Sequence, residues 1–419
     1  CGEWHTVQEQ LNVTTAMAGA SGKLLDLKSI NEVTKVKSVE RLKVDIGDVD
    51  EVLGGGIVPG SVILIAGQPG IGKSTLLMQV ASSIAKKKRV IYISGEESAE
   101  QVAMRATRLG AGGEELILST STSANDIAAT ISSDSADLVV VDSIQTLSCS
   151  EIASAAGSVS QITNSTQLIS AAAKGSGTAL LIVGHVTKEG SIAGPKVLEH
   201  IVDVVLQLEG DRYGGFKVLR AIKNRFGSTN EASIFDMEEG GLRPVDNPSA
   251  ALLEERQISD GSVVLATVEG TRPLLVEVQA LVNTSSYGYP KRASSGFDLN
   301  RLNLLVAVLE RRTKLNLSDK DIYINIVGGI KIQDPAADLA VCLAIGSASK
   351  GLKLSSDAVV YGEVGLSGEV RHVPYAEKRI SEAKKLGFEK VVGPRIKGKK
   401  LALLHEVKDV RDALNTFLK

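Results

Sequence analysis

The sequence predicts an α/β protein: a mostly parallel sheet over the first half of the chain, then a smaller α+β domain. Two patterns carry that expectation. From Val44 to Leu242, short apolar runs alternate with helical segments. Runs that are apolar throughout fit strands covered on both faces, as in parallel sheets. Past the turn-rich patch Arg243-Pro-Val-Asp-Asn-Pro-Ser249, period-two alternation mixes with helical spacing instead. Three segments are expected: a polar 1–40 with a Gly/Ser/Ala stretch at Ala16 to Gly22, a sheet domain over 41–248 and an α+β domain over 249–419.

Taken in order, the strands of the first sheet are Ser61 to Ala66, Arg89 to Ser94, Leu138 to Asp142, Ala179 to Gly184 and Val202 to Leu208, with helices at Thr75 to Lys86 and Ala99 to Leu109. A further strand, Lys217 to Ile222, precedes a Gly-Ser-Thr turn. In the second domain Ser262 to Val268 and Leu274 to Leu281 alternate like strands of a half-exposed sheet. Leu302 to Arg312, Pro335 to Ser349 and Ala376 to Leu386 have helical spacing, and Asp357 to Val364 reads as a strand.

Composition narrows the class. With 47 Lys+Arg against 49 Asp+Glu, 43% hydrophobic residues and 41 Gly without a three-residue period, the chain is neither disordered nor collagen-like. No apolar run approaches the roughly 18 residues of a spanning helix, so no membrane partner is expected. Cys1, Cys149 and Cys342 lie too far apart for a disulfide framework, which suits a reducing compartment. With no apolar leader in view, the cytoplasm is the expected location. The chain begins at Cys rather than Met, so a fragment or a processed product is expected.

Gly67-Gln68-Pro69-Gly70-Ile71-Gly72-Lys73-Ser74 matches G-x-x-x-x-G-K-[ST] in full, between an apolar strand and a helical run that opens at Thr75. Glycines let backbone N–H groups wrap phosphates, Lys73 reaches the outer phosphates, and the Ser74 hydroxyl ligates Mg²⁺. The alternative is a Gly-rich strand–helix turn. ATP and Mg²⁺ are therefore the expected cofactors. Asp142 ends an apolar strand, as a carboxylate holding the Mg²⁺ shell would; the other reading is a helix cap. Ser94-Gly-Glu96-Glu97-Ser98 offers two carboxylates that can polarise the attacking water, Glu96 being preferred, against the plain reading of an acidic first helical turn. His185 and Thr187 follow another buried strand and are candidate γ-phosphate sensors, although a lone His is often structural. Lys223 and Arg225 lie two apart on an extended segment, so two cations project together unless they are merely a solvated basic turn.

These motifs resemble the bacterial RadA (Sms) family, whose ATPase core is similar to the recombinase RecA and the replicative helicase DnaB. The resemblance rests on the loop Gly67 to Ser74, Gly95-Glu-Glu-Ser98, Val141-Asp-Ser-Ile-Gln145, His185-Val-Thr-Lys-Glu-Gly190, Lys223-Asn-Arg-Phe-Gly227 and Glu269-Gly-Thr-Arg-Pro273. It implies a RecA-like P-loop ATPase followed by a Lon-protease-like domain. It implies a homo-oligomer, a hexameric ring in which Lys223 and Arg225 reach the neighbouring subunit's ATP. It also implies a DNA-dependent motor acting on single-stranded and branched DNA in recombination and repair, promoting branch migration with a RecA-type recombinase. Cys1-Gly-Glu-Trp4 resembles the last knuckle of the family's four-cysteine zinc finger. A tetrahedral Zn²⁺ site needs four ligands, so Zn²⁺ is expected only in the untruncated protein and Cys1 is a remnant.

Few aromatics favour phosphate contact over base stacking. By family analogy mobile DNA-contacting loops are Ser148 to Ser160 and the segment from Lys188 to Lys196. In the second domain Lys291, Arg292, Arg301, Arg311 and Arg312 are candidates, against the reading of a wet helix face. Where the Lon motif places its nucleophile this chain has Ala336, which has no atom able to attack a carbonyl. Lys378 falls near the partner position, and Ser367 is the nearby alternative hydroxyl. A non-proteolytic domain is expected, the competing functions being an ATP-dependent Lon-like protease and an ATP-binding scaffold.

Overall fold

The computed structural model describes residues 29, 40–185, 197–210, 215–286, 288–396, 398 and 401–419. Cys1–Glu40 is one unit and Arg41–Lys419 a second, compact one. The second unit carries a nine-stranded sheet among its described residues, in the order β3-β2-β4-β5-β1-β6-β7-β8-β9. Here β1 is Val62–Gly67, β2 Val90–Ser94, β3 Leu116–Thr120, β4 Leu138–Asp142, β5 Ala179–His185 and β6 Val204–Gly210, and these six run parallel. Strands β7 (Lys217–Asn224), β8 (Ala232–Glu238) and β9 (Gly241–Pro244) extend the sheet antiparallel.

Every residue of β1, β2 and β4 is buried, because helices cover both faces. After a short α1 (Val49–Val52), helices α2 (Lys73–Ala85) and α3 (Ala99–Arg108) pack on the face that carries Tyr92, Leu138 and Val140. Helices α4 (Ala124–Ser133) and α5 (Val159–Ser176) pack on the face that carries Ile91, Val139 and Val141. Local chemistry sets their starts. Ser98 and Gln101 form a reciprocal capping box on α3, and Ser123 and Ser158 cap α4 and α5; such caps contribute about 1 kcal/mol each. Helix α6 (Val197–Ile201) leads into β6.

Two details depart from the sequence expectation. β3 was not foreseen, because Leu-Ile-Leu-Ser-Thr is a half-exposed edge strand and lacks the buried signature. The run Val202 to Leu208 is not apolar throughout: Asp203 is buried within it, accepting from the Val62 amide at 3.1 Å.

The second sheet, seven-stranded among the described residues, has the order β12-β13-β11-β10-β14-β17-β18. It comprises β10 (Ser262–Glu269), β11 (Arg272–Thr284), β12 (Arg292–Ser295), β13 (Lys320–Ile326), β14 (Ala358–Val360), β17 (Lys390–Gly393) and β18 (Leu404–Glu406). β15 (Glu363–Val364) and β16 (Val370–Arg371) form a separate pair. Helices α7 (Pro248–Leu253), α8 (Leu299–Thr313), α9 (Ala337–Lys350), α10 (Ala376–Lys385) and α11 (Val410–Phe417) surround it.

The half-exposed expectation holds for the end of the second expected strand, where Gln279 to Leu281 alternates between exposed and half-buried, and is corrected for the rest. β10 and Leu274 to Val278 of β11 are almost entirely buried, one face meeting the α9 core and the other the α10 core. Alternation disappears when both faces are covered. The expected strand Asp357 to Val364 is broken after Val360. Gly362 there has φ +154°, and a Cβ on it would lie 2.7 Å from Val370 Cγ1.

Val218, Ala232 and Ile234 of the first sheet pack into the core of the second. That shared apolar face is why residues 41–419 cohere. No helix among the described residues is long and apolar enough to cross a membrane.

Candidate active site

The first sheet aligns its functional residues by register. Gly67 at the carboxyl end of β1 pairs with His185 at the end of β5, and Ser94 of β2 pairs with Asp142 of β4. The P-loop, the acidic pair and the strand-end Asp therefore share one sheet edge, where open α/β folds bind ligands. Gly70 and Gly72 take φ of +78° and +112°, a region open to glycine, and no atom lies within 4 Å of where a Gly70 Cβ would sit. Lys73 is buried, and its ammonium donates to the Gly67 and Gln68 carbonyls at 2.9 and 3.0 Å. Helix α2 starts at Lys73 with no acidic residue in its first turn, so the partial positive charge of its N-terminus faces the loop and suits an anion. Oxygen donors on Ser74 and Asp142 suit Mg²⁺. The residues present thus fit a nucleoside triphosphate with Mg²⁺.

The structure separates the two glutamates. Glu97 is paired with Arg105 of α3 and held by the Ser94 hydroxyl, which accepts from its amide at 2.9 Å. Glu96 is exposed and accepts from the Ser143 hydroxyl, next to Asp142. Asp142 itself is buried, with Tyr92 Oη donating to its Oδ2 at 2.7 Å and Arg105 Nη1 at 3.9 Å from the same oxygen. Tyr92, Arg105 and Ser143 were not singled out from sequence.

Lys223 and Arg225 do lie together, but each is tied back. Lys223 donates to the carbonyls of Glu199 and Val202, and Arg225 Nη1 reaches Asp203 Oδ1 at 3.0 Å. Burial, with Arg225 beside it, lowers the Lys223 pKa. A freely solvated basic turn is therefore not what the chain builds, although the Arg225 side chain keeps 52% of its exposure. Asp203 precedes β6 and pairs with the start of β1, so this cluster sits at the amino edge of the sheet. The buried Asp inside an otherwise apolar run was the available sequence signal.

The His185 side chain lies outside the described residues, as do Thr187, Lys188, Lys196 and Cys1. The loop from Ser148, expected to be mobile, is pinned: the Gln161 amide bonds to the Cys149 amide and to the carbonyls of Cys149, Ile152 and Ser154 at 2.8 to 3.3 Å.

Among the DNA candidates Arg301 is tied back: its guanidinium bonds to buried Asp338 and the Val364 carbonyl and holds α8 to α9, with 31% of the side chain exposed. Arg292 is half-buried and donates to Asn303 at 3.5 Å, whereas Lys291, Arg311 and Arg312 are exposed.

In the second domain Ala336 is fully buried, and its amide donates to Asp334 at 3.0 Å. The cation that meets Asp334 is Arg379, at 2.7 Å and nearly without exposure. Lys378 points outward to the Thr271 carbonyl, and Ser367 is an exposed turn residue whose amide donates to Glu369. On α10 it is therefore Arg379, and not the neighbouring Lys378, that turns inward to Asp334. Ala376, Arg379, Ile380 and Ala383 form the buried stripe of α10, a helical period that includes an Arg.

Comparison with known proteins agrees with this geometry. Residues 31–191 match the family described as AAA domain, and residues 302–396 match the family described as subunit ChlI of Mg-chelatase. The DNA repair protein RadA of Bacillus subtilis (strain 168) is 47% identical over 401 residues, covering 94% of this chain and 88% of the relative. With the same coverage, the proteins of that name from Pseudomonas aeruginosa and Streptococcus pyogenes serotype M1 are each 46% identical, over 400 and 402 residues.

Proposed function

The chain belongs to the RadA family of DNA repair proteins and carries a P-loop ATPase domain, and from that premise we propose that it is a DNA-dependent ATPase that works as a ring. In this reading it acts in the cytoplasm on single-stranded and branched DNA, as a hexamer, and promotes branch migration with a RecA-type recombinase. ATP binds at Gly67 to Thr75. Lys73 holds the outer phosphates and His185 senses the γ-phosphate, while Ser74 and Asp142 would hold Mg²⁺, which would supply positive charge against the phosphates. Glu96, the carboxylate not taken by Arg105, orients the attacking water. Lys291, Arg311 and Arg312 contribute phosphate contacts to DNA.

One observation carries the ring. Arg225 pairs with Asp203, and Lys223 donates to the carbonyl of the preceding Val202, at the amino edge of the sheet, while the P-loop opens at its carboxyl edge. The strand between, Val62–Gly67, spans roughly 16–20 Å, beyond the reach of an arginine side chain toward its own nucleotide. A catalytic role for this pair therefore requires a neighbouring subunit. Such trans arginines are worth about 10³ to 10⁵ in rate in GTPases.

Mixing tests this. Lys73→Ala and Arg225→Ala should each lack DNA-stimulated hydrolysis alone, with Arg225→Ala still binding nucleotide. Mixed together they should regain activity, because some interfaces then join an intact P-loop to an intact arginine. No regain on mixing, or normal turnover by Arg225→Ala, would remove the trans assignment.

A further inference from the structure

We propose that Tyr92 is a positioning residue of the Mg²⁺ site, holding one oxygen of Asp142 so that the carboxylate presents the other to the metal's hydration shell. The inference rests on the ATPase reading and extends it to a side chain that reads as core.

The argument starts from strand geometry. Tyr92 is paired with Val140 in the parallel register of β2 and β4, and residues two apart on a strand share a face. Tyr92 thus lies on the face that carries Val140 and Asp142, beneath α2, and its side chain reaches toward the carboxyl edge. It is 1% exposed, and its hydroxyl donates to Asp142 Oδ2 at 2.7 Å. A buried hydroxyl needs a partner, and a phenol in an apolar strand finds one only if the chain supplies it.

Arg105 stands behind the same oxygen. Its Nη1 is 3.9 Å from Asp142 Oδ2, buried and without a hydrogen bond, while its Nη2 is held by Glu97. Two donors therefore face Oδ2, and none among the described residues bonds to Oδ1. A carboxylate so held has a fixed orientation and a single oxygen left for Mg²⁺-bound water. Outer partners of this kind are typically worth 10-fold to 100-fold in metal affinity or activity.

The test uses Tyr92→Phe, which removes one oxygen from a position whose ring packing is kept. Binding of a fluorescent non-hydrolysable ATP analogue is measured in EDTA and across a Mg²⁺ titration, beside Asp142→Asn and the double variant. Tyr92→Phe should bind the analogue in EDTA as the parent does, within twofold. It should need about tenfold more Mg²⁺ for half-saturation, and Asp142→Asn should make the second change silent. A Mg²⁺ requirement within twofold of the parent, an equal loss in EDTA, or additive effects in the double variant would overturn the proposal. Failure of the parent chain to bind the analogue at all would instead overturn the ATPase reading beneath it.

Discussion

Glu269 is the clearest case of a residue whose environment sets a measurable property. It ends β10 among buried groups, with Arg220 Nη2 3.0 Å from its Oε2. Burial raises its pKa from 4.5 to about 7; Arg220 pulls it down, and Glu209 and Asp334 push it further up. A carboxyl with a folded-state pKa above its unfolded one favours the folded state while protonated. That contribution is complete below about 4.5 and is lost as pH rises through about 7. Glu269→Gln keeps the hydrogen-bonding shape and removes the titration. Its stability relative to the parent should therefore rise between pH 5.5 and 8, by about 2 kcal/mol for 1.5 units of that window. Denaturant unfolding at several pH values measures this, and a difference that stays constant with pH would contradict it. At this scale the sequence was readable where chemistry is local. The P-loop needs eight consecutive residues and was legible in full. Tyr92 with Asp142 and Arg225 with Asp203 are separated by 50 and 22 residues, and those meetings depend on a strand order that composition does not state.

At the scale of elements, α5 shows how one side chain organises a loop. Gln161 sits in the first turn of α5 and is 2% exposed. Its amide satisfies four backbone groups of the segment that follows the Asp142 strand. Gln161→Ala removes the partner of the Cys149 amide and of the Ile152 and Ser154 carbonyls, at a cost of about 1–3 kcal/mol, and should free the segment. Limited proteolysis should then cut between residues 149 and 158, where these bonds should make the parent resist. Because this segment is a proposed DNA contact, DNA stimulation of hydrolysis should fall while basal hydrolysis persists. Unchanged protection from cleavage would show that Gln161 does not hold the loop. The first sheet was legible because parallel strands are apolar on both faces. The second sheet misled for the same reason: β10 is as buried as β1, so its modest alternation was not exposure. Which cation of α10 turns inward was carried by the helix's own period, since Arg379 falls on the stripe with Ala376, Ile380 and Ala383, and Lys378 does not.

Across the whole molecule, the two sheets are joined by apolar packing and by charge. Val218, Ala232 and Ile234 enter the second core, and Arg220 of β7 stands between Glu209 of β6 and Glu269 of β10. In the second domain buried Ala336 has no side-chain nucleophile, and Arg379 pairs with Asp334. What does emerge is an ATPase whose nucleotide edge and Lys223–Arg225 pair lie at opposite ends of one sheet, so that under the proposed trans reading turnover depends on neighbouring subunits. The measurement that tests the central claim most directly is ATP hydrolysis by the chain and by Lys73→Ala, with and without single-stranded DNA, across a salt series. Phosphate-directed DNA binding weakens steeply with salt. Hydrolysis by the parent should therefore be stimulated by DNA at low salt and lose the stimulation as salt rises, with Lys73→Ala inactive throughout. Hydrolysis that is absent, or indifferent to DNA at every salt concentration, would contradict the account and favour a scaffold that binds ATP without working on DNA.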